Sequence, residues 1–147
     1  MTDKVGGNVD KIREGESSGQ TTRSGDIKDA VVLIVEDEPG IRQLIKTILR
    51  KHVKAVLLAE NGQVAVDLCR NHPEITVVLM DIKMPVMSGL EATGIIKSFR
   101  KDLPIIVVTA FALAEDRASA MNAGCDDFLV KPFKAHDLIQ KVTEYST

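Results

Sequence analysis

From residue 29 onward the chain alternates between two patterns. Five short apolar runs, residues 30–35, 55–59, 75–80, 105–108 and 128–130, are rich in Val, Ile and Leu and do not alternate with polar positions. Runs of this kind suit strands buried on both faces, as in a parallel sheet. Helical patterns lie between them. Ile41, Leu44, Ile45, Ile48 and Leu49 form a stripe at i, i+3, i+4, i+7 and i+8, with Pro39 placed as a first-turn proline. Asn61 can cap a helix carrying Val64, Ala65 and Leu68. Ser88-Gly-Leu-Glu91 reads as a capping box ahead of Ala92, Ile95, Ile96 and Phe99. A fourth helix, Ala-rich over residues 113–123, ends at Gly124, and Leu138, Ile139, Val142 and Tyr145 give a last stripe.

Five strand–helix units in succession imply an α/β domain, a parallel sheet with helices on both faces and right-handed crossovers. Residues 1–28 break the pattern. They hold five of the ten glycines and five charges of each sign, and only Val5, Val9 and Ile12 fall at helical spacing. The segment reads as a flexible extension or linker, with a short partner-binding helix as the alternative. Residues 29–147 are the expected domain.

The composition narrows the function. With 147 residues, 44% of them hydrophobic and 27% charged, the chain makes one ordinary globular domain. A net charge of −2 argues against a broad basic surface for nucleic acid or anionic lipid, and 3% aromatic content argues against base-stacking platforms. The longest uncharged stretch, residues 103–114, is twelve residues with Pro104 inside it, where a membrane helix needs about 20. No secretory leader is visible at the start of the sequence. Cys69 and Cys125 are far apart and read as small packed residues, and His52, His72 and His136 lack metal-ligand spacing.

In an open parallel sheet, ligands collect beyond the carboxyl ends of the strands. The first run ends in Glu36-Asp37-Glu38, the third in Asp81, the fourth in Thr109-Ala110 and the fifth in Lys131-Pro132. Carboxylates about 4 Å apart at an effective dielectric near 20 repel by roughly 4 kcal/mol a pair, so a cation belongs among them. Hard oxygens around an incomplete shell suit Mg²⁺, which keeps waters and favours a phosphate. A Lys and a Thr hydroxyl opposite could hold the phosphate oxygens, and an ionised Asp can attack phosphorus to give an acyl phosphate. Singly, these residues have plainer explanations. Acids before a helix are welcome as caps, and Thr is a good strand former. Asp81 has no obvious capping role, and the coincidence at four strand ends carries the argument.

These residues resemble the receiver domain of two-component response regulators. The motifs are Val32-Leu-Ile-Val-Glu-Asp-Glu-Pro39, Leu79-Met-Asp-Ile-Lys-Met-Pro-Val-Met-Ser-Gly89, Pro104-Ile-Ile-Val-Val-Thr-Ala110 and Gly124-Cys-Asp-Asp-Phe-Leu-Val-Lys-Pro-Phe133, in the expected order. The resemblance implies a flavodoxin-like, doubly wound sheet of order 2-1-3-4-5. It implies that Asp81 takes a phosphoryl group from a phosphohistidine on a histidine kinase or histidine phosphotransfer protein. Asp37 and Asp81 would bind Mg²⁺ (or Mn²⁺) directly, Glu36 through water, and the Lys83 backbone carbonyl would add a ligand. Thr109, Ala110 and Lys131 would hold the phosphate, with Thr109 and Phe128 as the switch pair. Lys83 and Phe111 would tune dephosphorylation, and neither readily orients a water, so slow decay is expected. Phe128 stands where many relatives have Tyr, which removes an outward hydroxyl. The Lys131–Pro132 bond is often cis in similar domains. The fourth helix, whose apolar residues are mainly Ala112, Ala114, Ala118, Ala120 and Ala123, is the expected moving part. The surface from it through the last strand and last helix would meet a downstream target.

Alternatives fit less well. A haloacid-dehalogenase-type enzyme wants a second acid two residues past the nucleophile, where Lys83 stands. A flavin carrier wants a Ser/Thr-rich loop in place of Glu36-Asp37-Glu38. A phosphorylation-independent adaptor would not keep the full set. The expected role is a signalling domain and not an enzyme, without direct nucleic-acid contact or membrane insertion. It would be either a stand-alone cytoplasmic regulator or the receiver of a hybrid histidine kinase at the cytoplasmic face of a membrane.

Overall fold

The structure is a computed structural model that describes residues 27–110 and 113–146. Five strand–helix units follow in order: β1 (Val31–Val35), α1 (Pro39–Leu49), β2 (Ala55–Ala59), α2 (Gly62–Asn71), β3 (Val77–Met80), α3 (Gly89–Phe99), β4 (Ile105–Thr109), α4 (Ala114–Ala123), β5 (Asp127–Val130) and α5 (Ala135–Ser146). All four strand pairings are parallel, and the sheet order is β2-β1-β3-β4-β5. The expected order of 2-1-3-4-5 and the expected fold class are therefore what the chain adopts.

Alternation along the strands explains the two layers. Leu33 and Val35 of β1 pack with Ala65, Cys69, Ala92 and Ile96 of α2 and α3, whereas Val32 and Ile34 pack with Ile45, Leu49, Leu138 and Val142 of α1 and α5. A smaller cluster of Ile82, Val107, Ala120 and Cys125 seats α4 on the α2–α3 side. Fully burying one such aliphatic side chain is worth about 2 kcal/mol. Because α4 contributes only Ala120 to that burial, it is the most lightly anchored helix.

The cap signals act locally as expected. Asn61 Oδ1 accepts from Val64 N at 2.9 Å, and Ser88 Oγ accepts from Glu91 N at 3.2 Å. Gly124 closes α4 with φ 106°.

Three details depart from the sequence reading. Only the central strands are buried on both faces. β2 is an edge strand with Ala55 and Leu58 exposed, and β5 is half-buried throughout, because each has a neighbour on one side alone. Leu44 is 52% exposed. At about 100° per residue it lies a quarter-turn from Ile45, off the stripe that Ile41, Ile45, Ile48 and Leu49 turn toward the sheet. Finally, Ile27 is 5% exposed within the α1–α5 cluster, so the packed unit begins before residue 29. The rest of the expected extension, residues 1–26, lies outside the described residues.

Candidate functional site

The loops after β1, β3, β4 and β5 meet at one edge of the sheet. Parallel register sets this meeting, since Val35 pairs with Met80 and Thr109 with Val130. The residues that leave these strands, Glu36, Asp81, Ala110 and Lys131, emerge side by side. Carboxylate oxygens of Glu36, Asp37 and Asp81 lie within 4.8 Å of one another. Lys131 Nζ is 2.6 Å from Glu36 Oε1 and 3.4 Å from Asp81 Oδ2.

Each side chain is held by a local device. Glu38, not the pair before it, serves as the α1 cap, with Oε1 accepting from Ile41 N at 3.0 Å. That frees Glu36 and Asp37 for the site. Glu36 is 2% exposed, and its Oε2 accepts from Glu38 N at 3.2 Å. Asp81 is 8% exposed, and its Oδ1 accepts from Ile82 N at 2.8 Å, so the carboxylate is oriented by a backbone amide on one oxygen and an ammonium near the other. Asp37 is exposed at the mouth. Thr109 is buried at the end of β4, and its carbonyl accepts from Lys131 N at 2.8 Å, which ties the two strand ends together. The Lys131–Pro132 peptide bond is cis.

The electrostatics favour an added cation. Burial, and next the charge of Asp81, hold the Glu36 pKa above its ordinary 4.5 despite the Lys131 hydrogen bond. Burial alone would depress Lys131, yet its hydrogen bond to Glu36 and the charge of Asp81 raise it above 10.5. When ionised, three carboxylates facing one ammonium leave a net of two negative charges. A divalent ion with oxygen preference fits that donor set.

The remaining candidates fall as follows. Ala110 is exposed beside Thr109, and Lys83 is exposed two residues after Asp81. Phe128 is half-buried on β5, with the Arg117 guanidinium 4.6 Å from its ring centroid. Phe111 and Ala112 lie outside the described residues. Cys69 and Cys125 are both buried, and the three histidines stand away from the acidic cluster.

Two contributors have a role that the sequence did not assign. Gly89 passes so near the Asp81 carbonyl oxygen that a Cβ there would stand 1.8 Å away. Arg42, on α1, donates from Nη1 to the Glu36 carbonyl oxygen at 2.6 Å. In the loop between Asp81 and Gly89, Val86 takes φ 71° and is 82% exposed, an uncommon backbone state for a β-branched residue.

A sequence profile of the response regulator receiver domain matches residues 32–143. The chain belongs to that family. Its receiver domain is 36% identical over 111 residues to a response regulator, MprA, of Mycobacterium sp. (strain KMS), covering 76% of this chain and 48% of that protein. The chain thus spans about half the length of that curated relative. Among solved structures, the receiver domain of the sensor histidine kinase PA1611 from Pseudomonas aeruginosa PAO1, with magnesium coordinated in its active-site cleft, aligns with TM-score 0.73 and 34% identity over 79% of this chain and 96% of that one. The receiver domain of Ssk1, crystallised with the Saccharomyces cerevisiae histidine phosphotransfer protein Ypd1, aligns with TM-score 0.75 and 33% identity over 82% and 90%. Receiver domains thus occur both in response regulators and in histidine kinases. Among the described residues of this one, no helix is long and apolar enough to cross a membrane.

Proposed function

We propose that this receiver domain accepts a phosphoryl group on Asp81 from a phosphohistidine of a histidine kinase or histidine phosphotransfer protein, with Mg²⁺ bound at Glu36, Asp37 and Asp81, and that it works in the cytoplasm. The observation that carries the reading is the placement of Asp81. It is nearly buried and clustered with two further acids, and Lys131 reaches it.

An Asp81 oxygen attacks phosphorus, the O–P bond forms, and the P–N bond breaks with its electron pair retained by the imidazole. A proton already on the other ring nitrogen makes that leaving group neutral. Ile82 N and Lys131 orient the attacking carboxylate. Lys131 shifts from Glu36 toward the incoming phosphoryl oxygens, and Thr109 and the residue 110 backbone take others. Asp37 and Asp81 would hold Mg²⁺ directly, Glu36 through water and the Lys83 carbonyl as a further ligand, where the ion would supply neutralisation of charge building on the phosphoryl oxygens. Neither the Lys83 ammonium nor a Phe111 ring offers an acceptor to orient an attacking water, so the acyl phosphate decays slowly.

The signal leaves through α4, β5 and α5. Thr109 moves to the phosphoryl group and Phe128 turns into the space it leaves, so Phe128 must release Arg117 of the loosely packed α4. α5 stays tied to β5, with Lys141 Nζ 2.7 Å and the Tyr145 hydroxyl 3.0 Å from Asp127 Oδ2. Incubation with a phosphorylated histidine phosphotransfer protein tests the reading. Label should pass to the wild type and not to Asp81→Asn, and equal labelling of both would refute it.

A further inference from the structure

We propose that Arg42 is a positioning residue for the metal-binding acids, an inference that rests on the Mg²⁺ site described above. Asp37 is exposed, and among the described residues no side chain hydrogen bonds to its carboxylate. Its place is set by the backbone on either side. The Glu36–Asp37 peptide is tied to the Arg42 side chain, and the backbone one residue past Asp37 is tied to the Arg42 amide. The guanidinium Nη1 donates to the Glu36 carbonyl at 2.6 Å, and the Arg42 amide donates to the Glu38 carbonyl at 3.0 Å. The Glu36 amide is in turn anchored to the Ala59 carbonyl at 3.0 Å. The guanidinium thus closes a frame around residues 36–38 with Asp37 at its open corner. No carboxylate pairs with Arg42 among the described residues, so its short charge-assisted bond to a backbone oxygen is its strongest tie. Arg42 lines a cleft of about 270 Å³ with Leu58, Ala59, Glu60 and Val64.

The sign of the effect separates positioning from simple charge. As a nearby cation, Arg42 opposes Mg²⁺, so removing it would tighten metal binding if electrostatics were its only action. As a frame, Arg42 pre-organises Asp37 and Glu36, so removing it loosens binding. Residues that orient metal ligands typically carry 10–100-fold in affinity.

The experiment is a Mg²⁺ titration of the full chain by NMR without phosphodonor, alongside a urea denaturation of each variant. Arg42→Gln, a good helix former at that site, should raise the Mg²⁺ Kd about tenfold. Arg42→Lys, which keeps the charge and one reach of donor, should fall between. Arg42→Met keeps the apolar stem and serves as the second variant if the Gln form does not fold, with the same rise expected. An unchanged or lower Kd in whichever of the two folds overturns the proposal. Lower stability with unchanged Kd would make the contact structural only, which also overturns it. Failure of the wild type to bind Mg²⁺ would instead remove the metal site itself.

Discussion

The Lys131 ammonium is bound to Glu36 at 2.6 Å, closer than to Asp81, the proposed acceptor, at 3.4 Å. In the resting domain the lysine is parked on the buried neighbour of the acceptor. That neighbour is 2% exposed, and burial raises its pKa while the lysine's hydrogen bond pulls it back down. A second cation among the acids would relieve the need for the lysine and, on the proposed function, let it turn to a phosphoryl group.

Lys131→Met should therefore act in two directions. Without metal it leaves Glu36 and Asp81 facing each other, and the unfolding free energy at pH 8 should fall by about 3 kcal/mol. Mg²⁺ should bind more tightly than to the wild type, because a competing positive charge is gone. Urea unfolding with and without Mg²⁺ reads both, and weaker metal binding in this variant would contradict the account.

Glu36 sets a pH dependence. Its folded pKa is raised, first by burial, so the folded state holds the proton more tightly than the unfolded chain does. The stability it contributes is complete below about 4.5, the unfolded value, and is lost as pH rises through the folded pKa. In metal-free solution the urea midpoint of the wild type, taken relative to Glu36→Gln, should decline as pH rises from 4.5, and saturating Mg²⁺ should flatten the decline. Parallel curves for the two proteins would show that Glu36 carries no such linkage.

Gly89→Ala tests the tight approach of α3 to the acceptor loop. A Cβ would meet the Asp81 carbonyl oxygen at 1.8 Å and the Ile82 Cα at 3.0 Å, both backbone atoms that cannot step aside as a side chain would. The variant should lose on the order of 2–3 kcal/mol and weaken Mg²⁺ binding as the loop shifts. A protein of native stability and metal affinity would show that the loop is far more compliant than this packing implies.

Much of the site could be read from the sequence because its chemistry sits at strand ends, where an abrupt change from apolar to charged residues marks the position. Glu36-Asp37 and Asp81 each follow a buried run in this way, and Lys131 follows the half-buried apolar end of β5. Glu38 could not be separated from its two acidic neighbours without the helix it caps. Arg42 and Gly89 were silent for a different reason. One acts by a hydrogen bond to backbone, the other by the absence of a Cβ, and although Gly89 closes the Leu79–Gly89 motif, neither action can be read from residue type. Edge exposure of β2 depends on strand order, which hydrophobicity along the chain does not encode, and the outward placement of Leu44 depends on how narrow a stripe α1 presents.

Lys83→Asn tests the lifetime of the phosphorylated form. Lys83 is exposed two residues after the acceptor, and an amide there can hold a water against the acyl phosphate where an ammonium does not. Decay followed by phosphate release should quicken severalfold in the variant. Identical rates would show that this position does not govern access of water.

The most direct measurement is the intact mass of the protein after incubation with acetyl phosphate. One phosphoryl group should be gained in the presence of Mg²⁺, with no gain when the metal is chelated and none in Asp81→Asn. A gain that persists in Asp81→Asn, or that ignores chelation, would contradict the claim that Asp81 is esterified within a metal-bound acidic cluster.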